Sequence, residues 1–211
     1  MVKSYNITYL EDAMSAIGAM FDYSVNTCGE DLVSFYGRFI SSGIAHQVFC
    51  ANPRIIAGCS GVELAEKVAL LTGKPLPRED TFIDIGSPEY WTGWTLTYLS
   101  WYLNMDFRIM NEYGVSVTAV YDRYSSLHEA DLSKSISFAQ KQIASAASVS
   151  NPLKRARNIA GMTQRELASA SGVSLRSIRA YEQGQLSLRK AESESVFNLC
   201  RVLGCVPENL I

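Results

Sequence analysis

Five cysteines and two histidines are the residues of this chain best suited to covalent or metal chemistry. A thiolate attacks electrophiles and binds soft metals, and an imidazole can take its proton or share the metal. The cysteines are Cys28, Cys50, Cys59, Cys200 and Cys205, an odd number with no CxxC pair. Zinc binding would need Cys28, Cys50 and Cys59 to converge with His46, and their spacings fit no compact zinc module. A dyad of Cys50 or Cys59 with His46 is chemically conceivable, although in a reducing compartment such thiols more often serve as small buried apolar residues. His128-Glu129-Ala130-Asp131 opens like a zinc-protease helix, but position 132 is Leu and not a second His. Residues 1–150 contain no glycine-rich phosphate loop and no GxSxG. The reading is therefore of a non-enzyme, with no metal and no cofactor.

Charge is the other chemistry on offer. The whole chain sums to −2, but residues 152–211 hold nine Lys/Arg against five acids and the preceding 151 residues hold ten against sixteen. The C-terminal part is thus +4 and the rest −6. A basic segment joined to an acidic one predicts that one part meets nucleic acid and the other does something else.

Glycines and caps set the elements that carry those basic residues. Pro152 suits a first helical position and Gly161 a helix end. Thr163 with Glu166 forms a capping box, Gly172 allows a tight turn, Ser174 caps the next helix and Gly184 stops it. Leu167, Ala168, Ile178 and Tyr181 point inward. A fourth helix runs from about Ala191 to Leu203, with Val196, Leu199, Cys200 and Leu203 on one face, and Val206 and Leu210 closing the core. Its polar opening, Ala191-Glu192-Ser193-Glu194, suggests a late start.

Leu153 and Arg157, then Met162-Thr163-Gln164 with Leu167-Ala168, then Gly172-Val173-Ser174 with Ile178, then Tyr181-Glu182 with Gly184, and finally Leu203-Gly204 with Leu210, resemble the Cro/repressor-type (XRE-like, lambda-repressor-like) helix-turn-helix family. The resemblance covers about 60 residues and implies that the third helix of the unit enters the major groove of double-stranded DNA. On that basis Ser174, Leu175, Arg176, Ser177 and Arg179 are the expected base contacts. Arg176 is first among them, because a guanidinium can bond a guanine edge twice. Lys154, Arg155, Thr163, Gln164 and Arg165 are the expected phosphate contacts. The resemblance implies a structural pair between Arg157 and Glu182, fixing the angle of the recognition helix.

The acidic part reads as helical. Leu10, Met14, Ile17, Met20, Phe21 and Val25 recur at helical spacing. Asp31 starts a helix through Phe35, Tyr36, Phe39 and Ile40, Ser60 with Glu63 makes a second capping box, and Ser87-Pro88 opens the helix that carries all three tryptophans. There Trp91, Trp94, Tyr98 and Trp101 follow 3-4-3 spacing, with Leu96, Leu99 and Leu103 on another face. Such a helix is either central in a core or sandwiched against a partner or effector. Two short helices, 106–114 and 116–124, and one from about Asp131 follow. Residues 81–85 are β-prone.

The architecture expected is mainly α: a helical N-terminal domain of uncertain fold over 1–143, a small polar linker with a hinge over 144–151, and a helix-turn-helix bundle over 152–211. No apolar run approaches the roughly 18 residues of a membrane span. Met1-Val2-Lys3-Ser4-Tyr5-Asn6 does not read as a secretory signal, so a cytoplasmic protein is expected and the sequon Asn6-Ile7-Thr8 carries no glycan. The function expected is a DNA-binding, repressor-like transcriptional regulator. It would act as a homodimer, with the N-terminal domain binding a protein partner or a small effector, as an antitoxin binds its toxin. The rivals are a protein-interaction scaffold that binds no DNA and an enzyme with an appended DNA-binding unit.

Overall fold

A computed structural model of the chain describes residues 5–77, 82–149, 151–207 and 210, with 147–149 described in backbone only. Among these residues the regular elements are helical and no strand forms. The chain divides into two compact units, Met1–Ile143 and Ala144–Ile211.

The first unit is built around α1 (Leu10–Asp22), which follows a short 3-10 turn capped by Asn6. Thr8 donates to the Asn6 side chain from both its amide and its hydroxyl, so the residues of the sequon form a helix start. Then come α2 (Leu32–Ser41), α3 (Ile44–Phe49), α4 (Pro53–Ile56), α5 (Gly61–Leu71), α6 (Pro88–Leu103), α7 (Phe107–Glu112), α8 (Val117–Tyr121), α9 (Tyr124–Leu127) and α10 (Leu132–Val149). The caps read from the sequence are in place. Asp31 accepts from the Ser34 amide, Ser60 and Glu63 form their reciprocal box, and Ser87 accepts from the Tyr90 amide.

Two glycines bring α1 into close contact with its neighbours. A Cβ on Gly93 would lie 2.3 Å from a ring carbon of Phe21 and 2.7 Å from the Ile17 carbonyl oxygen. One on Gly61 would lie 2.5 Å from the Ala19 Cβ. Backbones can approach this closely only where no side chain intervenes. Phe21 then packs edge-on against Phe35 and Phe39, and Phe39 against Phe107, with centroids 5.2–5.9 Å apart.

This packing decides which face of α6 is the core. Thr92, Gly93, Leu96, Leu99 and Ser100 are buried, whereas Trp91, Trp94, Tyr98 and Trp101 are only partly covered. Trp91 meets Tyr124 edge-on, Trp101 donates from its indole nitrogen to the Tyr5 carbonyl at 2.9 Å, and Tyr98 stacks on Tyr102. The buried hydroxyls of Thr92 and Thr97 bond back to carbonyls of their own helix.

A polar cluster lies where α1 passes into a five-residue π-helical turn, Tyr23–Thr27. Asp22 and Glu89 are 1% and 8% exposed. Asn26 donates from its side-chain nitrogen to both carboxylates, at 2.8 and 3.0 Å. Asp22 also accepts from the Ser87 hydroxyl and the Asp84 amide, and Glu89 from the Tyr121 hydroxyl.

The second unit contains α11 (Pro152–Ile159), α12 (Gln164–Ser171), α13 (Leu175–Glu182), a 3-10 turn at Leu188–Lys190, and α14 (Ser193–Leu203). Its core is Leu153, Leu167, Val173, Ile178, Leu188, Leu199, Cys200 and Leu210.

Two local expectations are corrected and two open readings are resolved. Helix α10 runs to Val149, through most of the segment read as a linker, and Asn151 is the cap of α11. Its side-chain oxygen accepts from the Leu153 and Lys154 amides while its nitrogen donates to the Tyr181 carbonyl. Only Ser150 separates cap from helix, and it lies outside the described residues. Val206 is 55% exposed and closes no core; Leu188, from the loop after Gly184, fills that role. Helix α14 has the late start that its polar opening suggests, at Ser193, with Glu192 at its cap position. Residues 82–85 form no strand, and Thr81 is outside the described residues.

Candidate nucleic-acid interface

The second unit holds α12 and α13 at a fixed turn. Leu167 and Ser171 are the buried residues of α12, Gly172 takes φ of +71° where a side chain would be strained, and Val173 and Ile178 join Leu167 in the core. Thr163 and Glu166 cap α12 reciprocally, with bonds of 2.7 and 3.2 Å. The bonds from Thr163 hold the Glu166 carboxyl below its ordinary range. Ser174 caps α13 through the Ser177 amide, and the two serine hydroxyls bond each other at 2.8 Å.

The far end of α13 is clamped by charge. Arg157 grips Glu182 with two parallel bonds, Nε to Oε1 at 2.6 Å and Nη2 to Oε2 at 3.0 Å, and donates a third to the Met162 carbonyl. The two side chains are 11% and 3% exposed. Burial opposes the charge on Glu182. Hydrogen bonds from Arg157 and Gln164, with the charges of Arg157 and Lys154, outweigh it and hold the carboxyl below its ordinary range. A bidentate, desolvated pair of this kind fixes orientation as well as distance. It ties α11 to the end of α13, and the Asn151 bond to Tyr181 adds a second tie at the same place.

What α13 presents outward follows from that clamp. Arg176 and Arg179 are exposed, and Leu175 and Ser177 are half-buried at their side. Together with Ala180, Gln183, Gln185 and Leu186 they line a groove of about 640 Å³. Gln183, Gln185 and Leu186 are not among the residues expected from the sequence. The available signal is spacing, because Gln183 falls one turn after Arg179 on the same face. Lys154 and Arg165 are exposed. Arg155 is half-buried and reaches the Ala146 carbonyl at 3.4 Å. The Thr163 hydroxyl is occupied by its cap. Gln164, expected to meet phosphate, donates instead to Glu182 at 2.8 Å, leaving its second amide hydrogen for an outside acceptor.

Residues 153–211 match the helix-turn-helix family of XRE/lambda-repressor-like proteins. The helix-turn-helix match covers somewhat more than a quarter of the chain, and this is a family of DNA-binding regulators. No curated protein and no solved structure gives a significant match to the chain. Within the matched residues the Arg157–Glu182 clamp ties α11 to the end of α13.

Of the residues considered for other chemistry, Cys50 and His46 come together, with the sulfur 3.3 Å from Nε2. Cys28 donates to the Pro77 carbonyl, Cys59 to the Arg54 carbonyl, and Cys200 is buried in the helix-turn-helix core. Among the described residues no three of His, Cys, Asp and Glu group to hold a metal ion, and no helix is long and apolar enough to cross a membrane.

Proposed function

We propose that the protein is a sequence-specific, double-stranded-DNA-binding transcriptional regulator of the repressor type. The observation that carries this reading is the groove along α13, with two exposed arginines on a helix tied down by a buried ion pair and two glutamines just beyond its end. Arg176 and Arg179 suit guanine edges, Gln183 and Gln185 suit adenine edges, and Leu175 suits a thymine methyl. Ser174 and Ser177 sit at the groove mouth and serve mainly to start the helix. Lys154, Arg155 and Arg165, the α12 start at Thr163 and Gln164, and the dipole of that helix supply the phosphate contacts.

One such unit buries only about 600–1,000 Å² on DNA, so tight specific binding calls for two copies on a pseudo-palindromic site. The protein then acts as a homodimer in the cytoplasm. The acidic N-terminal unit binds a protein partner, and a toxin would make the protein an antitoxin. Its −6 charge supports that assignment. An effector held by the tryptophans would need a closed apolar pocket beside them. An apolar groove of about 480 Å³ in this unit is lined by Tyr23, Ala69, Leu70 and Leu76, together with Glu66.

The test is selection of binding sites from a random duplex library by the full-length protein at moderate salt. An enriched palindrome with half-sites about one helical turn apart is the expected result. No enrichment, by the full chain or by residues 144–211 alone, would overturn the DNA reading and favour the scaffold.

A further inference from the structure

The first unit brings together three residues that α3 and α7 hold far apart in sequence. His46 stands on α3, Cys50 one turn on at its C-cap, and Asp106 caps α7. The Asp106 carboxylate uses Oδ1 to accept the Arg108 amide at 2.8 Å and Oδ2 to meet His46 Nδ1 at 2.8 Å. A carboxylate can only accept, so Nδ1 carries the proton and Nε2 presents its lone pair in the neutral ring. The Cys50 sulfur lies 3.3 Å from that Nε2 and 4.0 Å from Nδ1, over the ring face and off the in-plane lone pair, so proton transfer needs a rotation of the exposed Cys50 side chain onto the Nε2 axis. Cys50 is exposed, and the His46 side chain is 68% exposed against 14% for Asp106. The order is thus an accessible thiol, a base beside it, and a covered carboxylate orienting the base.

We propose that Cys50 is a modification site that exchanges with low-molecular-weight disulfides, with His46 as its proton acceptor and Asp106 as the positioning residue. The Cys50 proton passes to His46 Nε2 as the sulfur attacks one sulfur of the disulfide in line. A Cys50–sulfur bond forms and the original sulfur–sulfur bond breaks. The departing sulfur leaves as a thiolate and takes the proton from His46. Cys50 is oxidised by one electron equivalent, the departing sulfur is reduced by one, and no other reactant is consumed.

The backbone selects this chemistry over acyl transfer. An acyl-transfer site needs free amides to hold the developing oxyanion. Here the amides of Cys50, Ala51 and Asn52 already donate to the carbonyls of His46, Val48 and Gln47. Disulfide exchange develops no oxyanion and needs only an open line of approach to sulfur. The other cysteines lack the combination. Cys59 contacts the Lys67 ammonium at 2.8 Å, which offers charge but no proton acceptor. Burial and the neighbouring Cys200 push the Cys205 thiol up to about 11. Cys200 is buried.

The test is a timed reaction of the full-length protein with 2-hydroxyethyl disulfide, an uncharged probe. Samples are quenched in acid and mapped by peptide mass to give one rate for each cysteine. Cys50 should react at least about tenfold faster than Cys28, Cys59 or Cys205. His46→Ala should bring it down to their level, and added imidazole should restore part of the loss. Asp106→Asn keeps a capping side chain. It should slow Cys50 and shift the ¹⁵N resonances of His46 away from the Nδ1–H tautomer. A Cys50 rate no faster than the others, or unchanged in His46→Ala, overturns the proposal. Cys59 reacting first also overturns it. An unchanged His46 tautomer in Asp106→Asn removes the role given to Asp106.

Discussion

Arg157 and Glu182 illustrate what a single residue contributes to the interface. Neither touches DNA in the proposed arrangement, yet they decide where Arg176 and Arg179 point. Glu182→Gln removes the charge facing Arg157 while keeping one amide oxygen to accept, and should destabilise the C-terminal unit by about 3 kcal/mol, the low end for a broken buried pair because the Met162 carbonyl also remains. Circular dichroism melts of the full chain would show it. Glu182 is held below its ordinary range in the folded state, so its contribution is complete above the unfolded carboxyl value, near 4.5. It should be lost as pH falls through the lower folded value. A melting series from pH 6 to pH 3 should show the Glu182→Gln deficit shrinking at the acid end. Arg176→Ala should cost about 1–3 kcal/mol of binding and relax preference at one base position, read by repeating the duplex selection. Equal weakening on every sequence would make Arg176 a phosphate contact. The pair is legible in the sequence because its partners fall within a recurrent motif. The same motif puts Gln164 on phosphate by position, and it does not say that Glu182, also within reach, competes for the same amide. The orientation of His46 toward Asp106, 60 positions away, leaves no trace in local spacing.

Caps and glycines explain most of what can be read about elements. Ser60–Glu63, Thr163–Glu166, Asp31 and Ser87 each satisfy amides that a helix start leaves open, and that requirement is local. Helices α3 and α4, with six and four residues, are too short to show a period, and the cap at Asn52 with Pro53 is the sequence signal for α4. The polar stretch at the end of α10 reads as a hinge because alanine and serine pack little, but they are compatible with helix and the break falls at Asn151. The tryptophan stripe is the largest apolar surface on α6. The close approach belongs to the smallest residue, because backbone contact needs a missing side chain and large rings cannot supply it. Gly93→Ala should therefore destabilise the first unit by about 1–3 kcal/mol through overpacking against Phe21 and the Ile17 carbonyl. All three tryptophans lie on this helix, so their fluorescence during denaturation reads that loss directly. The same variant should leave DNA affinity unchanged in a filter-binding titration.

Across the whole molecule, two separate cores and two opposite charges coexist in one chain. The charge split follows from counting residues, and counting alone separates a DNA-facing part from the rest. The fold of the acidic part is not legible that way, because long-range helix crossings depend on which faces meet. Lys154→Ala should weaken binding on every sequence alike and flatten the dependence of log affinity on log salt by about one unit. An effect confined to one operator would make Lys154 a base reader. Asn26 sets a further limit on the acidic unit. Its amide nitrogen stands between Asp22 and Glu89 and is the only donor the two carboxylates share among the described hydrogen bonds. Exchange tables score asparagine to aspartate among the mildest of replacements, with nearly equal volume. Here it would take away the donor that two buried carboxylates share and set a third acid beside them, so sequence drift that looks neutral by resemblance would be costly by electrostatics.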